Sequence, residues 1–206
     1  ERLGRELSDI DLMAYSKQRG EVIGLLESLH FTFERYIALV QDRYIFHHPE
    51  KGYKVDVFFD QLKMCHTIDF RRRLEIDYPT IPLADLLLEK MQIVKLAEKD
   101  VKDTIILLRE HEVGDTDEAI NRWYIAQLLS KDWGFYYTVT TNLRKVRDHF
   151  LPSYPLQEDD RETVRRRINL LIDAIEREPK TLKWKLRSRI GTRKRWYEIV
   201  EDVAIS

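Results

Sequence analysis

The sequence predicts an α+β protein: a small mixed β-sheet in the first part of the chain, followed by a helical C-terminal region. Short segments that alternate apolar and polar residues cluster before residue 60, as is typical of strands. From residue 83 onward, apolar residues instead recur at intervals of three and four, as is typical of helices. We therefore expect a sheet-containing domain over residues 1–82 and a helical domain over residues 83–206.

Two predicted strands, at residues 8–13 and 53–59, carry acids on one face and apolar side chains on the other. Successive side chains of a strand point to opposite faces. Asp9 and Asp11 therefore share one face of the first strand, and Asp56 lies on the polar face of the second. If the two strands are neighbours with their apolar faces on one core, these three acids meet.

Three converging carboxylates raise one another's pKa unless a cation is present. Hard divalent ions such as magnesium accept carboxylate oxygens and also bind phosphate, so such a cluster outlines a site for phosphoryl or nucleotidyl transfer. The alternative for an isolated Asp-x-Asp pair is a strand end exposed to solvent.

Other segments complete the prediction of secondary structure. We expect helices over residues 16–30, 83–97, 117–129, 135–150 and 158–178, and another that starts near Lys99. A hairpin at 42–59 turns at residues 49–52, and the alternation at 74–78 predicts an edge strand. His47 and His48 beside this hairpin are either metal ligands or simply the end of a strand.

Lys90 lies on the apolar stripe of the predicted 83–97 helix, three residues after Leu87 and four before Val94. A buried ammonium group is costly unless it is paired. Lys90 therefore either extends its amine to water along the groove or points it towards the acids, where it meets substrate phosphate or a carboxylate.

The order of these motifs resembles the DNA polymerase beta-like nucleotidyltransferase superfamily. The resemblance rests on Asp9-Ile10-Asp11 in a first strand, then a helix and a hairpin, then Val55-Asp56-Val57. It implies a nucleotidyltransferase core with helices on one face of the sheet, Mg²⁺ or Mn²⁺ as cofactor and an NTP as substrate. Asp9 and Asp11 would hold two metal ions, while Asp56 would ligate the second ion and accept the proton of the attacking hydroxyl.

A second set of motifs resembles the AbiE-type branch of that superfamily, which includes toxins of abortive-infection and toxin–antitoxin systems. Asp85-Leu86 with Lys90 matches one element of the branch, and Asp100 with Asp103 matches another. By this resemblance residues 83–112 complete the active site. Lys90 would neutralise phosphate charge, and Asp103 would orient Lys90 or the acceptor. For Asp100 we expect only a favourable charge at the start of a helix.

The family also has a Gly-Ser or Gly-Gly element, upstream of the acid pair, that holds the triphosphate. This sequence opens at Glu1, a few residues before Asp9, so we expect that element in a preceding segment. Arg5 and Ser8 are candidate contacts to the nucleotide. The alternative for Arg5 is an arginine exposed to solvent.

Residues 180–195 contain eight lysines and arginines and no acid, with Trp184 and Trp196 nearby. A basic stretch with aromatic residues is typical of a surface that binds a nucleic-acid backbone, so this segment is a candidate contact to RNA or tRNA. The alternative is a solvated helix whose tryptophans pack on the core.

Composition limits the classes of protein. A single cysteine, Cys65, excludes an internal disulfide and, with no apolar run of about 20 residues, favours a cytoplasmic protein without a membrane segment. We therefore expect an enzyme that transfers NMP from an NTP to a hydroxyl of RNA, tRNA, a protein or a small molecule. One expected setting for this activity is a toxin with an antitoxin or other protein partner. The alternative is a catalytically silent module of the same fold that binds RNA or protein.

Overall fold

The alternating segments of the first part form a four-stranded mixed sheet with the strand order β1-β4-β3-β2. The computed structural model describes residues 9–34 and 43–200. Strand β1 runs parallel to β4, whereas β3 runs antiparallel to both β4 and β2. The strands are Asp9–Ala14 (β1), Thr32–Phe33 (β2), Arg43–His47 (β3) and Lys54–Phe59 (β4). The predicted α+β class is confirmed.

Helix α1 (Arg19–Ser28) covers the apolar face of this sheet after a short 3₁₀ turn at Ser16–Gln18. Its Leu26 is buried together with apolar side chains of β3 and β4, namely Phe46, Val55, Val57 and Phe59. These strand residues alternate along the chain, so their shared face follows from the period of a strand.

Helix α1 buries its apolar residues unequally. Val22 and Ile23 are partly buried against the same core. Leu25 and Leu29 are 60% and 52% exposed, because the helix turns its Leu26 side towards the sheet. Ile10 and Leu12 lie on the apolar side of β1 and are also partly exposed. Among the described strands, β1 is at the end of the order, so its side chains have a neighbouring strand on one flank.

The edge strand predicted at residues 74–78 is wrong. The chain forms a hairpin of β5 (Gln61–Lys63) and β6 (Thr67–Asp69), and then a series of turns. In those turns the Arg73 amide donates to the Phe70 carbonyl, and the Ile76 amide donates to the Arg73 carbonyl. These local hydrogen bonds use backbone groups that a strand ladder would need, and Tyr78 is 92% exposed.

The described chain divides into two compact units, each with its own core. One contains the four-stranded sheet and α1, extends to Leu62 and resumes from Thr67 to Ile81. The other contains Lys63–His66 and the chain from Pro82 onward.

The helical unit contains six α-helices in its described part. They are Leu83–Met91 (α2), Glu98–Glu110 (α3), Arg122–Leu129 (α4), Trp133–Lys145 (α5), Glu158–Arg177 (α6) and Leu182–Ile190 (α7). Helix α6 matches its prediction closely, and the five apolar residues of its stripe are buried: Val164, Ile168, Leu171, Ile172 and Ile175. No helix of the described residues is long and apolar enough to cross a membrane.

Three helices differ from their predicted bounds. Helix α5 ends at Lys145, and the chain continues as a π-helix over Val146–Phe150. Helix α2 ends at Met91 instead of continuing to residue 97. Helix α4 begins at Arg122 instead of residue 117, because Ile120–Asn121 (β8) pairs with Val113–Gly114 (β7). The Asn121 side chain then caps α4 by accepting a hydrogen bond from the Tyr124 amide at 3.0 Å.

Candidate functional site

The parallel pairing of β1 with β4 aligns the acids of the two strands. Asp11 lies directly opposite Asp56, and Asp9 lies opposite Lys54. Paired residues of neighbouring strands point to the same side of a sheet, so all three acids are on the face opposite the apolar core. The two acid-bearing strands are therefore neighbours, which is the condition under which the sequence predicts that their acids meet.

The three acids differ in their exposure. Asp9 and Asp11 are exposed, whereas Asp56 is only 2% exposed. The difference follows from strand order, because β4 lies between β1 and β3 whereas β1 is at the end of the order. Asp56 is thus a buried carboxylate with two exposed carboxylates on the adjacent strand.

Two basic side chains converge on one oxygen of Asp56. The Lys54 ammonium group donates to Oδ2 at 3.1 Å, and the Arg43 guanidinium donates to the same oxygen. The other oxygen, Oδ1, is buried and has no hydrogen-bond partner within the described part of the chain. A buried acceptor left unsatisfied costs about 1–3 kcal/mol, so Oδ1 is the atom at which an added cation or donor would gain most.

Arg43 and Lys54 were not assigned a role from the sequence. Lys54 lies two residues before Asp56, so strand alternation alone places both on one face. Arg43 belongs to β3, and its approach to Asp56 depends on the register of the β3–β4 hairpin, in which Ile45 lies opposite Asp56. The sequence spacing alone could therefore have predicted the contact of Lys54 with Asp56, but not that of Arg43.

The candidate metal ligands are not arranged as a preformed metal-binding site. Within residues 9–34 and 43–200, no cluster of three or more His, Cys, Asp or Glu side chains is close enough to hold an ion. The donor chemistry of Asp9, Asp11 and the Asp56 Oδ1 atom still fits a hard divalent ion, which takes oxygen ligands.

Lys90 and Asp103 form an ion pair within the helical unit. The Lys90 Nζ atom lies 3.0 Å from Asp103 Oδ2, and each side chain is about one-quarter exposed (26% and 23%). Lys90 is in the last turn of α2, and Asp103 is in the second turn of α3. The pair belongs to a different compact unit from the three acids of the sheet.

The other acids of the helical motifs have structural partners. Asp85 is fully buried and accepts a hydrogen bond from the Tyr124 hydroxyl at 2.7 Å. Asp100 accepts a hydrogen bond from the Ala97 amide at the start of α3, which confirms its predicted place at a helix N-terminus. The candidate nucleotide contacts Arg5 and Ser8 lie outside the described residues.

The two histidines of the hairpin form the end of a strand, as the simpler alternative predicted. His47 ends β3, where its ring approaches the Glu34 carboxylate. His48 is buried, packs edge-on against Phe31 and accepts a hydrogen bond from the Lys51 amide.

The tryptophans of the basic segment pack on α5. The Trp184 ring meets Tyr136 edge-on at 5.1 Å, and Trp196 meets Tyr137 in the same way. The Trp196 indole also donates to Thr138 Oγ1 at 3.0 Å. Both tryptophans are half-buried against α5, in agreement with the alternative in which the tryptophans of the segment pack on the core.

Two of the eight basic residues also serve the fold. Lys180 donates to backbone carbonyls at the end of α6, including that of Glu178 at 2.7 Å, and burial lowers its pKa. Arg187 lies over the Trp133 ring at 4.7 Å and donates to the Gly191 carbonyl. The other six are exposed: Lys183, Lys185, Arg189, Arg193, Lys194 and Arg195.

A buried histidine in this unit was not foreseen. His66 Nε2 lies 2.9 Å from Thr138 Oγ1, and its ring stacks on Phe135 at 4.9 Å. Burial lowers the His66 pKa to about 4, so the imidazole is neutral near pH 7 and acts as a packed core residue. Its sequence neighbourhood carries no signal that would have revealed this.

Comparisons with protein-family models, with curated proteins and with solved structures gave no match to this chain.

Proposed function

We propose that this protein is a metal-dependent nucleotidyltransferase that transfers NMP from an NTP to a hydroxyl acceptor. The observation that carries the proposal is the alignment of Asp11 with Asp56 on the polar face of the sheet, with one buried Asp56 oxygen unpartnered. The reaction class comes from the sequence resemblance, since the same face is compatible with other chemistry that requires a divalent ion.

Asp9, Asp11 and the Asp56 Oδ1 atom are the groups that would hold Mg²⁺ or Mn²⁺. The bound metal would neutralise charge on the triphosphate and lower the pKa of the acceptor hydroxyl. Arg43 and Lys54 hold the Asp56 carboxylate through Oδ2, which leaves Oδ1 as the oxygen for a metal ion. A fixed ligand loses less entropy on binding than a mobile one.

The transfer itself requires a base and a compensating charge. The acceptor oxygen bonds to the α-phosphorus, its proton passes to Asp56, and the bond to the bridging oxygen breaks to release pyrophosphate. Lys90 would stabilise the charge that develops on the phosphates, and its 3.0 Å contact with Asp103 supports an orienting role for that acid. Arg5 and Ser8 remain proposed contacts to the NTP.

The acceptor is RNA or tRNA, a protein side chain or a small molecule. We place the protein in the cytoplasm, consistent with a single cysteine that is buried and free. A toxin restrained by an antitoxin is one biological setting for this activity. In that setting, expression of the wild type stops growth and expression of the Asp9→Asn/Asp11→Asn variant does not.

The direct test is label transfer. The full chain is incubated with Mg²⁺, each α-labelled NTP in turn, total RNA and cell lysate. We expect label in RNA or protein, and a loss of more than about 100-fold in both Asp9→Asn and Asp11→Asn, because each removes a charged ligand. Asp173→Asn, an exposed acid on α6, is the matched control and should retain activity.

The acid variants should keep their fold, since Asp9 and Asp11 are exposed and substitutions at such positions change stability by roughly 0.5 kcal/mol or less. Circular dichroism and thermal unfolding verify this. Full activity in both variants would contradict the proposal.

A second candidate is a catalytically silent module that binds RNA or protein. Two observations favour it: the described residues contain no cluster of three metal-ligating side chains, and Arg43 and Lys54 already pair with Asp56. Absence of transfer with every NTP, together with retained binding to RNA or a protein, would establish this alternative.

A further inference from the structure

Within the described residues, helix α7 (Leu182–Ile190) contacts the helical unit by one side. The Thr181 amide donates to the Ser130 carbonyl, and the Thr181 hydroxyl caps the helix by accepting from the Trp184 amide. Trp184 and Arg187 then contact aromatic residues of α5. These contacts define an inner face of α7.

The opposite side of α7 carries three aliphatic side chains with little cover. Leu182, Leu186 and Ile190 are 79%, 62% and 44% exposed. They are spaced four residues apart, so they lie in one row along two turns of the helix. We call this row, with the basic side chains beside it, the outer face of α7.

The charge beside the aliphatic row has one sign. Lys183, Lys185 and Arg189 are exposed on α7, and no acid occurs between residues 180 and 195. The segment holds eight of the 35 basic residues, which leaves 27 basic against 36 acidic residues in the rest of the chain, a net charge of −9. The positive charge of the chain is therefore concentrated in the segment that contains α7, and Lys183, Lys185 and Arg189 are its exposed members on that helix.

We propose that the outer face of α7 docks an amphipathic helix of a partner protein, whose apolar side chains are flanked by Asp and Glu. Aliphatic side chains gain about 25 cal/mol per Å² when another apolar surface covers them. An acidic flank on the partner would meet Lys183, Lys185 and Arg189. Apolar residues four positions apart are also the anchors by which amphipathic helices are recognised.

The observations favour this occupant over RNA and over a second copy of the chain. A ribose-phosphate backbone would pair with the basic residues but would leave Leu182, Leu186 and Ile190 without an apolar partner. In a symmetric contact between two α7 helices, each basic flank would face the other, and like charges across an interface are unfavourable.

The size of the face sets the expected strength. Nine residues span about 13 Å, which matches roughly two turns of a partner helix. The area that so short a face can bury is well below the ~800 Å² per partner of a stable interface. We therefore expect a transient contact. The inference does not depend on the transferase reaction.

The test is fluorescence anisotropy of the full chain with two labelled 18-residue peptides of identical composition. In the first peptide, leucines occupy one helical face and glutamates flank them; in the second, the same residues are scrambled so that no apolar face forms. We expect the wild type to bind the patterned peptide at least about tenfold more tightly than the scrambled one.

The matched variants separate apolar contact from charge. Leu182→Ser/Leu186→Ser should remove the preference for the patterned peptide. Leu25→Ser/Leu29→Ser should retain it, because these exposed leucines have the same spacing on α1. All four leucines are exposed, so both variants are expected to fold, as circular dichroism would verify.

Two kinds of result would overturn the proposal. Equal affinity for both peptides, or no effect of Leu182→Ser/Leu186→Ser, would reduce the face to a non-specific positive charge. Tighter binding of a 20-nucleotide single-stranded RNA, or of vesicles with anionic phospholipid, that persists in the Leu182→Ser/Leu186→Ser variant would assign the segment to nucleic acid or to a membrane surface.

Discussion

At the residue scale, the two oxygens of Asp56 have different surroundings. Oδ2 receives both Lys54 and Arg43, whereas Oδ1 is buried with no hydrogen-bond partner in the described residues. Arg43 and Lys54 offset the charge of a carboxylate that burial would otherwise disfavour. The remaining acceptor is what makes this aspartate, rather than exposed Asp9 or Asp11, the anchor of the candidate site.

His66 is a second residue whose surroundings define its behaviour. Its imidazole lies among Phe135 and Thr138 and is 7% exposed, and burial is the main cause of its low pKa. In the unfolded chain the same group titrates near its ordinary value of 6.5. As the pH falls, protonation of His66 therefore favours the unfolded chain over the folded one.

The prediction concerns stability between pH 7 and 5. The His66 pKa is about 4 in the folded chain, so below pH 6.5 the unfolded state binds a proton that the folded state does not. The stability contributed by neutral His66 is fully present above pH 6.5 and is lost as the pH falls towards 4. At pH 5 the resulting loss in the free energy of unfolding is about 2 kcal/mol. Urea unfolding at both pH values should show a smaller loss in His66→Gln than in the wild type; equal losses would contradict the assignment.

At the element scale, buried or capping polar groups define where helices end and how they are joined. Asp132 caps α5 by accepting from the Phe135 amide at 3.0 Å. Arg167 on α6 is 5% exposed and donates to the carbonyls of Leu108 and Arg109, at the C-terminal end of α3. The last carbonyls of a helix lack intrahelical partners, so this arginine connects two helices through otherwise unsatisfied groups.

The prediction is that Arg167→Ala destabilises the protein by roughly 2–4 kcal/mol, because it leaves buried carbonyls and the Glu112 carboxylate without their partner. The neighbouring Arg166→Ala is the matched control. Arg166 is 56% exposed and lies 3.9 Å from Glu112, so its loss should cost less than about 1 kcal/mol. Similar losses of unfolding free energy in the two variants would contradict the role of Arg167.

At the scale of the whole molecule, the segment after α7 returns to residues far away in the sequence. The Glu198 amide donates to the Cys65 carbonyl at 3.0 Å, and Trp196 lies against Gly134 at the start of α5. All of these residues belong to the helical unit. The positive segment is thus held at both ends, by α7 and by Trp196.

The prediction is that Gly134→Ala releases the segment around Trp196. A Cβ atom at residue 134 would collide with the Trp196 carbonyl oxygen and would lie 3.3 Å from the Trp196 Cβ. We expect a red shift of tryptophan fluorescence and faster tryptic cleavage at residues 193–195. Gly24→Ala is the matched control, since a Cβ there meets no atom within 4 Å. An unchanged cleavage rate in Gly134→Ala would contradict the close approach.

The sequence by itself determined the features that depend on local periodicity. Alternation of side chains predicted that Asp9 and Asp11 share a face, and the 3.6-residue period predicted the buried stripe of α6. These features follow from backbone geometry within a few residues, so no distant contact was needed to infer them.

Only the tertiary structure decided what lies across from each element. Strand order buries Asp56 and exposes Asp9, and the hairpin register brings Arg43 to the acid. The residues around 74–78 alternate as a strand would, yet local turns take up their backbone hydrogen bonds. Periodicity specifies which side chains share a face, whereas burial and charge pairing depend on neighbours that are distant in the chain.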